Sequence, residues 1–238
     1  MNLALHLFIP CFMDQFAPRV AESVVELLEA LGTPWRYPPD QTCCGQFALT
    51  LGDLGTARKL MRHFLRVFGD APAILCPSAS CTLMVRHHYP HLADNFRERE
   101  EVEALAARTW ELSEWLRAQG PLPWAPRFAG TLALHHSCKA RQLGVLPGAA
   151  ELLSQVAGLE LQTPPPYFSC CGFGGAFKVQ HPDLSRAIGG AYLEAVQASG
   201  AAGLISLDYS CLLHLGGIAT SQGQDLKLLY LTEVLSKE

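Results

Sequence analysis

Two stretches, TCCGQ at residues 42–46 and SCCGFGG at residues 169–175, set a pair of neighbouring thiols directly before a glycine. Adjacent Cα atoms lie about 3.8 Å apart, so a Cys-Cys pair turned to one side presents both sulfurs to one compact multinuclear centre. A single zinc is poorly served by such a pair. Structural zinc favours ligands two to four residues apart, and the chain contains no C-x2-C. Iron–sulfur clusters are held by thiolates, commonly four. An offset of 127 that superimposes the two pairs also carries Cys11 onto Cys138. Beyond a three-residue gain in the GFGGAF loop, an offset of 130 carries Cys81 onto Cys211. Each half therefore offers four sulfurs, Cys11, Cys43, Cys44 and Cys81 in the first and Cys138, Cys170, Cys171 and Cys211 in the second. Two clusters are the natural count.

The neighbours of these cysteines suit anionic sulfur. Cys81 and Cys211 are expected in the first turn of a helix, where free N–H groups and the positive dipole end favour thiolate. Gly172, Gly174 and Gly175 allow close backbone approach and offer N–H groups to sulfide or thiolate. His214 follows Cys211 by three residues, shares its helical face, and is placed to hydrogen-bond a cluster sulfur. His135 and His136 also lie near a cysteine site, whereas the HHYPH group at residues 87–91 completes no metal spacing and reads as a surface helix end. Cys76, on an apolar strand, has Ser206 as its counterpart and reads as a buried structural thiol. No Ser-His-Asp or paired-carboxylate constellation is present to mark the chain as catalytic by itself.

The duplication extends to the elements that position the cysteines. Pro38-Pro39 matches Pro165-Pro166, Phe47 matches Phe177, and Asp53-Leu54 matches Asp183-Leu184. The first half reads as a strand in LALHLFI, a helix over 19–31, a short strand near 35–37, a helix over 53–68 with Leu54, Ala57, Leu60, Met61, Phe64, Leu65 and Phe68 on one stripe, and a strand over 73–76. The second half repeats this with TLALHH, a helix from Pro147, LELQ, a helix over 184–198 and GLISL. Alternating strands and helices imply an α/β fold of two homologous, Rossmann-like parallel halves, in which crevices beyond the strand C-termini collect the functional loops. The expected division is 1–120 for the first repeat domain, a Pro- and Gly-containing linker at 121–130, and 131–238 for the second.

Composition narrows the function classes. The 238 residues are 49% hydrophobic, ample for a core, and the net charge of −4 without a Lys/Arg-rich block argues against nucleic acid or an anionic membrane as partner. No apolar run approaches about 18 residues, and the start lacks the charged flank and cleavage site of a secretory leader. A cytoplasmic location is expected. In that reducing compartment nine cysteines, an odd number, point to metal or redox chemistry, not a disulfide framework.

The pattern C-x31-C-C-G with a further cysteine 37–40 positions on, present twice, resembles the cysteine-rich CCG domain family of iron–sulfur oxidoreductase subunits. Relatives in that family include the catalytic subunit of heterodisulfide reductase and the iron–sulfur subunit of glycolate oxidase. The stretches YPPDQTCCGQ, CCGFGGAFKVQHPD, DYSCLLHLGG and YLTEVL are most similar to the branch serving lactate utilization. The resemblance implies an electron-transfer subunit with up to two [4Fe–4S] clusters, working beside sister subunits that together oxidise L-lactate to pyruvate. It also implies a fifth cysteine in each half, in a closing C-x-x-C. Here Ser78 and Asp208 stand in those positions, as oxygen ligands or as helix caps, and Lys139 replaces a histidine expected after Cys138. The alternatives are a thiol–disulfide oxidoreductase subunit of the heterodisulfide reductase type and a zinc-binding scaffold without redox activity.

Overall fold

The computed structural model describes residues 5–163 and 170–236. Each half is built on a four-stranded sheet in which every pairing is parallel. The first sheet holds β1 (Leu5–Leu7), β2 (Trp35–Arg36), β3 (Ile74–Cys76) and β4 (Thr109–Glu111) in the order β2-β1-β3-β4. The second holds β5 (Arg127–Leu134), β6 (Ala157–Gln162), β7 (Gly203–Ser206) and β8 (Lys227–Tyr230) in the order β6-β5-β7-β8. The two orders are the same, as duplication requires. Parallel pairing demands crossovers, and amphipathic helices such as Pro18–Ala30 and Leu54–Phe68 provide them, the latter started by Asp53, whose side chain accepts from the Thr56 N–H at 3.0 Å.

The expected α/β architecture is thus present, with local differences. Ala57, Met61, Phe64 and Phe68 are buried, but Leu54 is 44% exposed and its counterpart Leu184 is 55% exposed. Both stand in the first turn of their helix. β5 begins at Arg127, inside the stretch read as a linker, and ends at Leu134, so His135 and His136 lie just past the strand. A fourth strand and a closing helix in each half were not anticipated. These helices, Leu112–Gln119 and Leu231–Leu235, are short and carry no long apolar stripe of their own.

The closing helices are exchanged. Leu112–Gln119 packs on the Leu146–Leu153 helix of the second half, and Leu231–Leu235 packs on Pro18–Ala30 of the first. Ser23 Oγ and Thr232 Oγ1 are 2.6 Å apart across the second contact, and the Trp124 indole N–H donates to the Leu235 carbonyl at 3.0 Å. One apolar core consequently runs through both halves, joining Val24, Leu28 and Trp115 to Leu152, Leu204 and Leu235. A second, smaller core around Phe64, Phe68, Met84 and Tyr89 belongs to the first half alone. Among the described residues no helix is long and apolar enough to cross a membrane.

Candidate metal centre

Each of the eight repeat cysteines lies beyond the C-terminal end of a strand. Cys11 and Cys138 open short helices directly after β1 and β5, and Cys81 and Cys211 sit in the first turn of the helices after β3 and β7. The Cys-Cys pairs precede Gly45 and Gly172, which hold φ of 86° and 81°, a left-handed conformation that glycine adopts without strain. This turn sends the glycine N–H back to the first sulfur of the pair. Gly45 donates to Cys43 Sγ at 3.3 Å and Gly172 to Cys170 Sγ at 3.4 Å. Phe173 N–H adds a bond to Cys171 Sγ at 3.5 Å. Gly172 thus donates as expected. Gly174 and Gly175 instead shape the cavity wall, with Gly175 lying against Phe47 and Thr50 of the first half.

All eight paired-repeat cysteines line a single cavity of about 260 Å³ between the halves. Two runs of thiols converge on it. In the first half Cys43 accepts hydrogen bonds from Cys11 and Cys44, which lowers its pKa to about 3 and raises the two donors. The bond from Cys44 favours the Cys81 thiolate, but contact with Cys76 and burial outweigh it and Cys81 is raised overall. In the second half Cys171 and Cys211 lie with sulfurs 2.9 Å apart, and the hydrogen bond between them lowers Cys171 while raising Cys211. Burial raises Cys138. Each half therefore holds one sulfur poised as thiolate. Cys76 is fully buried in β3 and does not line the cavity.

Ser78 and Asp208 have other partners. Ser78 caps the Ala79–Leu83 helix, accepting from the Cys81 N–H at 3.4 Å. Asp208 occupies the cap position of its helix, yet its side chain makes no bond to that helix. It reaches into the first half instead. Oδ1 accepts from Ser78 Oγ at 3.0 Å and from the Ser80 N–H at 2.7 Å, and Oδ2 accepts from Ser137 Oγ at 2.7 Å. His214 is buried behind the Cys-Cys loop, not in the cavity lining, with Nε2 at 3.2 Å from Ser185 Oγ. Ser185 in turn donates to the Gly172 carbonyl at 2.7 Å, so His214 supports the loop backbone. Burial lowers the His214 pKa.

Three contacts go beyond the sequence reading, which placed His135 near a cysteine site but named no partner for it. One nitrogen of His135 lies within 4.8 Å of the Cys171 and Cys211 sulfurs, a grouping of potential metal ligands that is wholly buried. Tyr89, in the middle of HHYPH, is buried and donates to the Cys44 carbonyl at 2.8 Å. Ser137 caps the Cys138 helix while bonding Asp208. His135 alone had a usable signal, its place three residues before Cys138.

A duplicated parallel α/β protein whose halves pool their thiols in one cleft is suited to binding a metal or metal cluster. Residues 5–86 and 132–216 match the CCG family, described as a cysteine-rich domain, and the chain belongs to it. The lactate utilization protein A of Bacillus subtilis (strain 168) is 35% identical over 237 residues, covering 98% of this chain and 99% of that protein. Its namesake from an Exiguobacterium species is 37% identical over 241 residues, covering 99% and 97%. Among solved structures, a hypothetical protein from Helicobacter pylori aligns with all of this chain and half of its own, with a TM-score of 0.65 and 13% identity, a likeness of fold.

Proposed function

We propose that this chain is an iron–sulfur electron-transfer subunit of a cytoplasmic assembly that oxidises L-lactate to pyruvate, with lactate itself handled by sister subunits. The observation that carries the reading is the convergence of eight cysteines on one cavity in a chain similar, end to end, to proteins named for lactate utilization. The donor set fits clusters of the [4Fe–4S] kind, up to two. There are four sulfurs per half, and the backbone N–H groups of Gly45, Gly172 and Phe173 already bond to three of them. Asp208 also lines the cavity, with both carboxylate oxygens accepting hydrogen bonds from Ser78, Ser80 and Ser137.

Oxidising lactate to pyruvate releases two electrons and two protons. Bound clusters would supply one-electron carriers, so a pair would accept both electrons and pass them singly to an external acceptor. The chain's own residues set the conditions. Cys43 and Cys171 are the sulfurs whose pKa is lowered by bonds from neighbouring thiols. The cavity walls are largely apolar, and the Gly45 and Gly172 turns hold the paired sulfurs on one side.

The test is iron and acid-labile sulfide per chain, with an EPR spectrum, on anaerobically purified protein and on Cys44→Ser and Cys171→Ser. Roughly eight irons and eight sulfides, falling by about half in each variant, are expected for two four-iron clusters. Zinc without sulfide would overturn the reading, as would undiminished lactate oxidation by the reconstituted assembly with both cysteines replaced.

A further inference from the structure

Among the buried side chains that differ between the two cysteine sites is the residue just past the first strand of each half. His135 and Phe8 are equivalent residues. His135 N–H bonds to the Ile205 carbonyl at 2.7 Å and Phe8 N–H to the Leu75 carbonyl at 2.9 Å, the same position in each sheet. Phe8 is consumed by packing, edge-on to Phe64 at 4.8 Å and Phe68 at 5.6 Å. His135 is fully buried, and its Nδ1 is 2.8 Å from the Tyr192 hydroxyl. Tyr192, itself buried, stays a phenol because desolvation raises its pKa. With its hydroxyl donating to Nδ1, the imidazole proton lies on Nε2. Nε2 has no hydrogen-bond partner. A ring nitrogen of His135 lies within 4.8 Å of the Cys171 and Cys211 sulfurs.

We propose that His135, oriented by Tyr192, donates a hydrogen bond to the Cys171 sulfur and gives the second site the more positive reduction potential of the two. The inference rests on the iron–sulfur reading above. An N–H donor to a cluster's thiolate stabilises the more negatively charged reduced state, which raises the potential. Phe8 offers the first site no such donor. Two further differences act in the same direction. Phe173 N–H bonds Cys171 in addition to the glycine bond found in both halves. Cys138 and Cys170 are exposed where Cys11 and Cys43 are only partly so, and solvent also stabilises the reduced charge. An electron entering at the first site moves to the second, oxidising one as it reduces the other, and leaves from the exposed Cys138–Cys170 side.

The experiment is an anaerobic EPR redox titration of wild type, His135→Phe and Tyr192→Phe, with iron and sulfide assayed on each and the second-half signal assigned by its loss in Cys171→Ser. Wild type is expected to show two midpoint potentials, the higher from the second half. His135→Phe, which copies the first half, lowers that potential and leaves the other unmoved at full cluster content. Tyr192→Phe keeps the imidazole but frees its ring, lowering the potential part of the way. An unmoved second potential in both variants overturns the inference. So does loss of the second cluster in His135→Phe with an unshifted potential in Tyr192→Phe, which makes His135 a ligand. A wild-type chain without iron and sulfide fails the iron–sulfur reading before any variant is made, and this inference with it.

Discussion

The Ser78 hydroxyl donates to the Asp208 carboxylate at 3.0 Å, and the two residues are equivalent positions of the two repeats, 130 residues apart. The positions at which each half lacks a fifth cysteine are therefore joined to each other across the junction. With the Ser80 N–H and the Ser137 hydroxyl, the carboxylate accepts three bonds.

Replacing Asp208 by Ala leaves three donors unpaired in a buried junction. Hydrogen bonds to a charged acceptor contribute about 1.5–3 kcal/mol each, and partial relaxation makes a net loss of about 3 kcal/mol the expected value. Urea denaturation of the metal-free variant beside metal-free wild type measures it. A loss near zero would show that the junction does not depend on this carboxylate.

Gly172 has no room for a side chain. A Cβ there would collide with the Ser185 carbonyl and lie 3.1 Å from the Gly189 nitrogen, and φ is already 81°. Gly172→Ala is expected to cost about 2 kcal/mol or more and to displace the Cys170–Cys171 pair. Metal analysis should show the second site depleted and the first retained. Equal retention at both would mean the loop tolerates the shift.

Glu111 gives a pH dependence of known sign. Burial, only partly offset by bonds from the Ser113 N–H and hydroxyl, raises its carboxyl from 4.5 to about 7. A raised carboxyl contributes its full stability below the unfolded value of 4.5 and loses it as pH climbs through about 7. Glu111→Gln keeps an acceptor for Ser113 and cannot ionise. Relative to wild type, the variant should gain about 3 kcal/mol between roughly pH 4 and 8. Parallel stability curves for the two proteins would contradict the assignment.

The exchanged helices predict a single unfolding event. Leu235 is fully buried in the core shared by both halves, so Leu235→Ala should remove about 2–5 kcal/mol and lower one thermal transition. Calorimetry that resolved two transitions, only one of them displaced, would show the halves to be energetically independent.

From the sequence alone the repeat, the parallel α/β class and the eight cysteines were legible, because a duplicated spacing and an apolar period are local records of strand, helix and turn. Gly172 as an N–H donor to sulfur was legible as well, since a glycine beside a thiol pair lets the backbone approach closely. Tertiary structure alone decided that the two sites open into one cavity, that Leu112–Gln119 and Leu231–Leu235 cover the opposite halves, and that Asp208 turns from its own helix to Ser78, Ser80 and Ser137. It also decided that His214 braces Ser185 while His135 meets the cysteine sulfurs. A buried polar group bonds to whatever partner the folded chain brings within about 3 Å, and for these residues that partner comes from a distant segment, so spacing along the chain does not encode it.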